Sequence, residues 1–502
     1  MNVRLILNII GKLLSLEAGL MAPALLVSLI YREGDTPALL YSMVILLLVG
    51  LPLMFVIRPE SLDVRNREGF VAVGLAWVVL SLFGALPFMF SGVTVFYWDA
   101  LFETVSGYTT TGASILTQIE GLPHGILFWR SSMHWVGGMG VLILTLAVLP
   151  KVSGHGSLLA KAESPGITFS KMLPKITSTA RLMYAVYAGL TILLIILLLM
   201  SGLNLYDALI HAMGTAGTGG FSNRNQSVGA YNNIWTEVVI MVFMLLFGTN
   251  FAVYFHLLRG DKLKSFKNEE VRTYYLLAFV SILLICVNTI PHYGDFWTAL
   301  RYSAFQVSSI MSTTGFVTTN FDHWPEFSRI LMLLLMLIGA CAGSTAGGIK
   351  VARIVLLRKA AAREVGQAFQ PRKVRLVTLD RRTVGDDILR SVVLFLVIYM
   401  FFLFFGTLAA STDGHDFITC FSAVASCLSN IGPGLSLVGP EGNFSIFSPH
   451  VKFLLSFFML AGRLEFIPLL VLFHPAIWKK AGRHSPEPGV KMKNKMEVSY
   501  ES

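Results

Sequence analysis

The sequence predicts an all-α polytopic membrane protein made of four pseudo-repeats, preceded by two further N-terminal helices. Three observations lead there: apolar residues gathered in long blocks, positive charge confined to alternate connections, and one small-polar octet that recurs four times. Of the 502 residues, 54% are hydrophobic and 14% charged, whereas soluble domains carry roughly a quarter charged residues. A run of about twenty apolar residues crosses the hydrocarbon core. Blocks of that length lie near 5–30, 37–57, 70–92, 125–149, 179–202, 234–258, 273–291, 327–357, 390–410 and 450–477, which reads as ten spans. The first block starts like a signal peptide. It continues past Lys12 and Glu17 to Ile30 with no small-residue cleavage site, and so reads as a retained helix.

Charge orients the spans. Lys and Arg total 39 against 29 acidic residues. The excess sits in connections around Arg58–Arg67, Lys151–Lys175, Arg259–Lys267, residues 358–390 and the tail after Lys479. Positive charge stays on the cytoplasmic side, so both termini are expected there. Charges held in short connections between spans form no basic face for nucleic acid, and none is expected as a partner. Cys286, Cys341, Cys420 and Cys427 lack metal-ligand spacing and read as small core residues.

Between the spans lie shorter half-apolar stretches near 98–110, 204–216, 297–313 and 416–429. They are too short to cross and read as re-entrant helices. Each leads into an octet: V-S-G-Y-T-T-T-G at 105–112, A-M-G-T-A-G-T-G at 212–219, S-S-I-M-S-T-T-G at 308–315 and A-S-C-L-S-N-I-G at 425–432. Aligned on the last glycine, they define a repeated helix–pore loop–helix unit around a central pore. The expected organisation is an N-terminal helix pair at 1–57, then repeats at 58–150, 151–260, 261–358 and 359–480, and a cytoplasmic tail at 481–502.

A single T-T-G after a helix is most simply a glycine C-cap. Four at matched places in four matched units ask for a shared purpose. A cation leaving water must exchange one shell of oxygens for another, and backbone carbonyls supply one without burying a full negative charge. Aiming successive carbonyls at one axis needs backbone angles that glycine tolerates best. The C-terminal end of each short helix adds partial negative charge. The expected cation-binding filter is therefore Thr110, Thr111 and Gly112; Gly217, Thr218 and Gly219; Thr313, Thr314 and Gly315; and Asn430, Ile431 and Gly432. The side chains are unequal, with Gly217 standing where other units carry Thr, so backbone ligation is the expectation.

The third unit breaks its second span with G-A-C-A-G-S-T-A-G-G-I-K at 339–350. So many small residues do not sustain a helix, and non-helical backbone at membrane depth must line a cavity or pack on protein. Gly343, Ser344, Thr345, Ala346, Gly347, Gly348 and Lys350 are expected to form a loop beneath the filter that blocks the ion path. A nucleotide P-loop is excluded, since Ile349 occupies the lysine position and no strand precedes it.

Charges inside spans are costly and usually functional. Arg463, in A-G-R-L-E-F, is expected to face the pore or gate. Glu465 lies two positions on, on another helix face. Glu103 and His211, in the first two re-entrant helices, read as bracing groups at non-equivalent places. His134 opens H-W-V-G-G-M-G, whose glycines suggest close helix packing rather than metal ligation.

These residues together resemble the TrkH-like members of the Trk/Ktr/HKT superfamily of cation transporters. The likeness rests on T-T-T-G-A at 109–113, G-T-G-G-F-S at 217–222, S-T-T-G-F at 312–316, N-I-G-P-G at 430–434, the small-residue break and G-R-L-E at 462–465. It implies potassium uptake with K+ as the bound substrate ion, through a pore gated by the 339–350 loop and Arg463. It also implies a homodimer in the bilayer of the bacterial inner membrane. A cytosolic nucleotide-binding (NAD/ATP-type) regulatory subunit would dock on the basic connections, and this chain would hold no cofactor of its own. A sodium/potassium-permeable transporter keeps the same architecture. An intramembrane enzyme using His134, His211 or Glu103 is the competing class.

Overall fold

The computed structural model describes residues 2–59, 66–140, 176–258, 260, 268–373 and 375–475. The basic connection at 151–175, the distal half of the 125–149 span, most of the 259–267 connection and the 481–502 tail lie outside the described residues.

The first two helices, Val3–Tyr31 and Thr36–Phe55, form an antiparallel hairpin outside the repeats. Small residues set their approach. A Cβ on Gly11 would lie 2.7 Å from that of Leu53, and one on Gly50 would lie 2.8 Å from Ser15 Oγ. Close backbone contact of this kind is how membrane helices associate when no hydrophobic drive separates them from lipid.

Each of the four units then follows one plan. A long first helix (Asn66–Gly84, Ile176–Met200, Glu269–Tyr293, Asp386–Ala410) leads to a short one (Tyr97–Tyr108, Leu205–Gly217, Phe296–Met311, Phe417–Ser429). A second helix follows (His124–Gly138, Ile234–Phe247, Glu326–Ile338, Pro449–Arg463). Three short helices start on side-chain caps: Asn204 accepts from the Asp207 amide at 2.8 Å, Asp295 from Thr298 at 2.9 Å and Asp416 from Thr419 at 3.2 Å. Such caps satisfy amides that a helix start leaves unpaired.

The units close into a ring. The second unit's short helix packs on the first unit's second helix, the third's on the second's, the fourth's on the third's, and the first's on the fourth's. Ion pairs mark two of these seams. Arg301 makes a two-pronged bond to Glu237 at 2.7 and 2.6 Å, and Lys452 donates to Asp99 at 2.8 Å.

Of the ten expected spans, only one was expected to be interrupted, and the structure interrupts more. Among the described residues, six helices are long and apolar enough to cross a membrane, and a seventh span is bent by 94° between Ile234–Phe247 and its continuation Phe251–Leu258. The third unit's second span breaks at 339–350 as expected, with Val351–Phe369 beyond it. The fourth breaks too: Glu465 and Phe466 take φ of 54° and 66° before Ile467–Phe473 resumes. Hydropathy windows average over about twenty residues, so three-residue breaks at 248–250 (Gly-Thr-Asn) and 464–466 (Leu-Glu-Phe) do not interrupt them. The repeat boundary set at 358 falls inside the continuous helix Val351–Phe369, so much of the expected basic loop is helical, followed by a small hairpin of Thr378–Leu379 and Arg382–Thr383.

The N-terminal hairpin yields a stability test. Gly11→Leu forces a side chain into backbone contact and is expected to cost about 1–3 kcal/mol by overpacking. A lowered melting temperature of the detergent-solubilised protein checks it, and an unchanged melt would show that the two helices separate without cost.

Candidate functional site: a four-segment ring and the loop beneath it

The four short helices end in the same backbone turn. Thr110, Thr218, Thr313 and Asn430 take φ of 55°, 54°, 57° and 55°, and two residues on Gly112, Gly220, Gly315 and Gly432 take 79°, 77°, 84° and 105°. The hydrogen bonds repeat as well. The residue between each pair donates back five positions: Thr111 to Ser106, Gly219 to Gly214 and Thr314 to Ser309, all at 2.9 Å, and Ile431 to Ser426 at 3.1 Å.

This corrects the register of the second octet. Gly220, not Gly219, is the partner of Gly112, Gly315 and Gly432. Gly219 aligns with Thr111, Thr314 and Ile431, and Gly217 falls back to the last residue of the short helix. The run G-T-G-G offers glycines at neighbouring positions, and composition alone does not say which adopts the left-handed conformation.

The four turns meet. A Cβ on Gly112 would fall under 3.0 Å from the Gly219 carbonyl oxygen, one on Gly220 from that of Thr314, one on Gly315 from that of Ile431, and one on Gly432 from that of Thr111. Each glycine thus faces the carbonyl just before the glycine of the next unit, and the fourth returns to the first. All four glycines line one cavity of about 150 Å³. Two units share a further detail: Thr109 and Thr111 hydroxyls pair at 2.7 Å, as do those of Ser312 and Thr314. The fourth replaces this with Asn430, whose amide donates to the Thr111 hydroxyl and the Met459 carbonyl, both at 2.9 Å.

With the register corrected, Glu103, His211 and Gln306 each precede their glycine by nine positions. The reading of Glu103 and His211 as non-equivalent is therefore overturned. All three brace the segment after the turn. Glu103 accepts from Ser114 Oγ at 2.9 Å and the Ile115 amide at 3.0 Å. His211 bonds Ser222 Oγ through Nε2 at 3.0 Å, and Gln306 donates to Thr318 at 3.3 Å. Nδ1 of His211 lies 2.8 Å from the Asp207 carbonyl and must donate to it, so in the neutral ring Nε2 accepts from the serine.

Arg130 went unnoticed in the sequence, since it lies mid-span with no motif around it. It lines the same cavity as the glycines. Its Nε donates to Glu103 at 2.6 Å, its Nη1 to the Ser222 carbonyl at 3.0 Å, and its guanidinium lies 3.4 Å from the Phe221 ring centroid. One chain of bonds therefore links the braces of units one and two. The glycines after His134 pack closely, as expected: a Cβ on Gly137 would strike the Tyr108 carbonyl and one on Gly138 the Gly217 backbone, while His134 Nδ1 bonds the Gly107 carbonyl at 2.8 Å. Among the described residues no group of three or more His, Cys, Asp or Glu side chains is arranged to hold a metal.

The 339–350 segment packs against these turns. The Gly347 amide donates to Thr313 Oγ1 at 2.8 Å, and a Cβ on Gly347 would strike the Ser429 carbonyl. The loop is pinned at several points. The Ala342 amide donates to Glu270 at 2.5 Å, the Cys341 amide to the Gly248 carbonyl at 3.1 Å, and Thr345 Oγ1 to the Phe247 carbonyl at 3.2 Å. In return, the Phe251 amide donates to the Gly343 carbonyl at 3.0 Å. Arg463 donates to the Thr345 carbonyl in the loop and to the Gly137 and Gly138 carbonyls, each at 2.6 Å. Glu465 does not pair with Arg463. It holds Lys350 at 3.2 Å and also binds Arg353, fastening the end of the loop to the break in the last helix.

Comparison with known proteins follows this geometry. Residues 36–480 match a family model described as TrkH, cation transport protein. The Trk system potassium uptake protein TrkH of Escherichia coli (strain K12) is 37% identical over 486 residues, spanning 96% of this chain and 100% of that protein. The Trk system potassium uptake protein TrkG of the same organism is 31% identical over 482 residues, spanning 95% and 99%. The crystal structure of the potassium transporter TrkH from Vibrio parahaemolyticus superposes with a TM-score of 0.86 at 32% identity, covering 95% of this chain and 100% of that one. These relatives are named as transporters, not enzymes, and this polytopic membrane chain belongs to the TrkH family of cation transport proteins.

Proposed function

We propose that this chain takes up potassium ions through the ring of four glycine turns, with the 339–350 loop and Arg463 as the gate. The observation that carries the reading is the closed sequence of contacts in which each turn glycine meets the carbonyl of the next unit. Those carbonyls, each set against a glycine that lines one cavity, are suited to replace the hydration shell of a monovalent cation. The C-terminal ends of four short helices converge on the same place and favour a positive charge there. The names of the relatives supply the ion. Thr110, Thr111, Gly112, Thr218, Gly219, Gly220, Thr313, Thr314, Gly315, Asn430, Ile431 and Gly432 would form the filter, with main-chain oxygens as the principal ligands.

The gate reading rests on position and chemistry. The loop lies directly behind the third and fourth turns, and Arg463 places a guanidinium between it and the first unit's second helix. A fixed positive charge on the ion's route raises the barrier to a passing cation, and withdrawal of either element lowers it. The relatives are named as parts of a Trk system, which supports a multi-component assembly. A homodimer with a cytosolic nucleotide-binding subunit on the basic surface of Val351–Phe369 and its following hairpin completes the proposal, with both termini on the cytoplasmic side of the inner membrane.

Three experiments test it. Gly315→Val places a β-branched residue at φ 84° against the Ile431 carbonyl. The left-handed conformation alone costs about 1–2 kcal/mol, and rubidium uptake into proteoliposomes should fall to the protein-free background. Uptake equal to wild type would remove the ring from the ion path, and sodium flux matching rubidium flux in the wild-type protein would end the claim of selectivity.

Deletion of Gly343–Gly348 should raise rubidium flux several-fold, and Arg463→Ala should do so in part. Flux that stays at the wild-type level in both would reduce the loop to packing.

Glu103→Gln leaves the buried Arg130 guanidinium without its counter-charge at the cavity, a change that costs about 3–5 kcal/mol in buried pairs. Uptake should drop sharply in Glu103→Gln and recover largely in Glu103→Gln/Arg130→Met. Equal defects in the single and double variants would show that the pair's charge balance is immaterial.

A further inference from the structure

The 94° bend between Ile234–Phe247 and Phe251–Leu258 opens a second cavity, of about 1020 Å³, on the flank of the molecule. Its walls come from both sides of the bend, the first three turns of Glu269–Tyr293 and the hairpin turn at Asp380–Arg381. The body of the cavity is apolar. Leu276 and Phe279 are 61% and 60% exposed on it, where a soluble protein would bury them. Its far end is charged, with Glu269, Arg272, Asp380 and Arg381 all contributing.

The acidic groups at that end are already engaged. Lys359 Nζ lies 2.6 Å from Glu269, and Asp380 accepts from the Asn268 side chain at 3.0 Å and the Glu269 amide at 2.7 Å. Arg272 and Arg381 form no ion pair among the described residues. Two guanidinium groups with unspent positive charge thus stand at one end of an apolar trough. That end is the one toward which the basic connections point, the leaflet rich in anionic lipid.

We propose that this cavity seats one anionic phospholipid, its phosphate held by Arg272 and Arg381 and an acyl chain laid along Leu246, Val253, Leu276 and Phe279. Guanidinium groups match phosphate oxygens in pairs, and the apolar walls between them and the bend suit an acyl chain. The site lies beside a functional element. The inner half-helix that walls the cavity begins at Phe251, whose amide holds the Gly343 carbonyl of the 339–350 loop.

The test uses the full chain in nanodiscs of phosphatidylcholine, with and without phosphatidylglycerol, for the wild-type protein and for Arg272→Gln/Arg381→Gln. Native mass spectrometry counts retained phosphatidylglycerol, and thermal unfolding reads its effect. Each basic group near an anionic membrane surface is worth about fivefold, so the double variant should hold the lipid about twenty-five-fold more weakly and lose the phosphatidylglycerol-dependent rise in melting temperature. Its melt in phosphatidylcholine alone should match wild type, which separates lost binding from lost folding. Leu276→Trp, which fills the trough and keeps both arginines, should also release the lipid. Undiminished phosphatidylglycerol retention in both variants would overturn the proposal. So would disulfide cross-linking between copies through Leu276→Cys, which would place a second copy of the chain on this face.

Discussion

The structure depends on the contact between a glycine with no side chain and the carbonyl oxygen of its neighbour. The contact is made four times in one direction around an axis. Any Cβ at Gly112, Gly220, Gly315 or Gly432 would strike the adjoining unit, and the left-handed backbone at each excludes most other residues on its own account. The short helices supply the turn, the turn supplies the carbonyl, and the next unit's glycine leaves room for it. The helix packing repeats the same cyclic order on a larger scale, with Arg301–Glu237 and Lys452–Asp99 fixing two of the seams.

Holding backbone at the middle of a bilayer has a cost that the second helices bear. Carbonyls and amides in hydrocarbon must find partners within the protein. The breaks after Phe247, Ile338 and Arg463 bring free peptide groups to where partners wait. Cys341 donates to Gly248, Phe251 to Gly343, and the side chain of Arg463 to three carbonyls at once. Buried charges are handled similarly. Arg130 is paired with Glu103, and Lys350 and Arg353 share the single carboxylate of Glu465, all in direct contact rather than by distant attraction. In a medium of low dielectric an uncompensated charge at any of these places would be far more costly than at the surface.

The four units share a backbone and divide the labour of their side chains. Units one and three keep paired hydroxyls behind the turn, and unit four substitutes an amide that reaches across to unit one. The outer braces carry an acid, an imidazole and an amide at the same position in units one to three. Among the described residues the inner loop belongs to unit three alone. Such divergence is open to a single chain with internal repeats, because each copy faces a different neighbour. It is closed to a symmetric tetramer of identical subunits.

Much of this was legible in the sequence, because membrane insertion and repetition both leave marks in composition. Long apolar blocks, positive connections and four glycine-ended octets are properties of the chain that no packing can hide, and they led to a membrane fold of four units with the right short helices. The small-residue run at 339–350 announced its own break, since no helix tolerates that composition. Tertiary structure alone decided the rest. Gly220 rather than Gly219 is the second unit's turn residue because only Gly220 faces the Thr314 carbonyl, a contact between residues ninety-odd positions apart. Arg130 and Glu465 take their meaning from partners in distant segments. The break at 248–250 lies where the 339–350 loop exchanges backbone bonds with Gly248 and Phe251, and the break at 464–466 lies where Glu465 binds Lys350 and Arg353; both depend on partners about a hundred positions away.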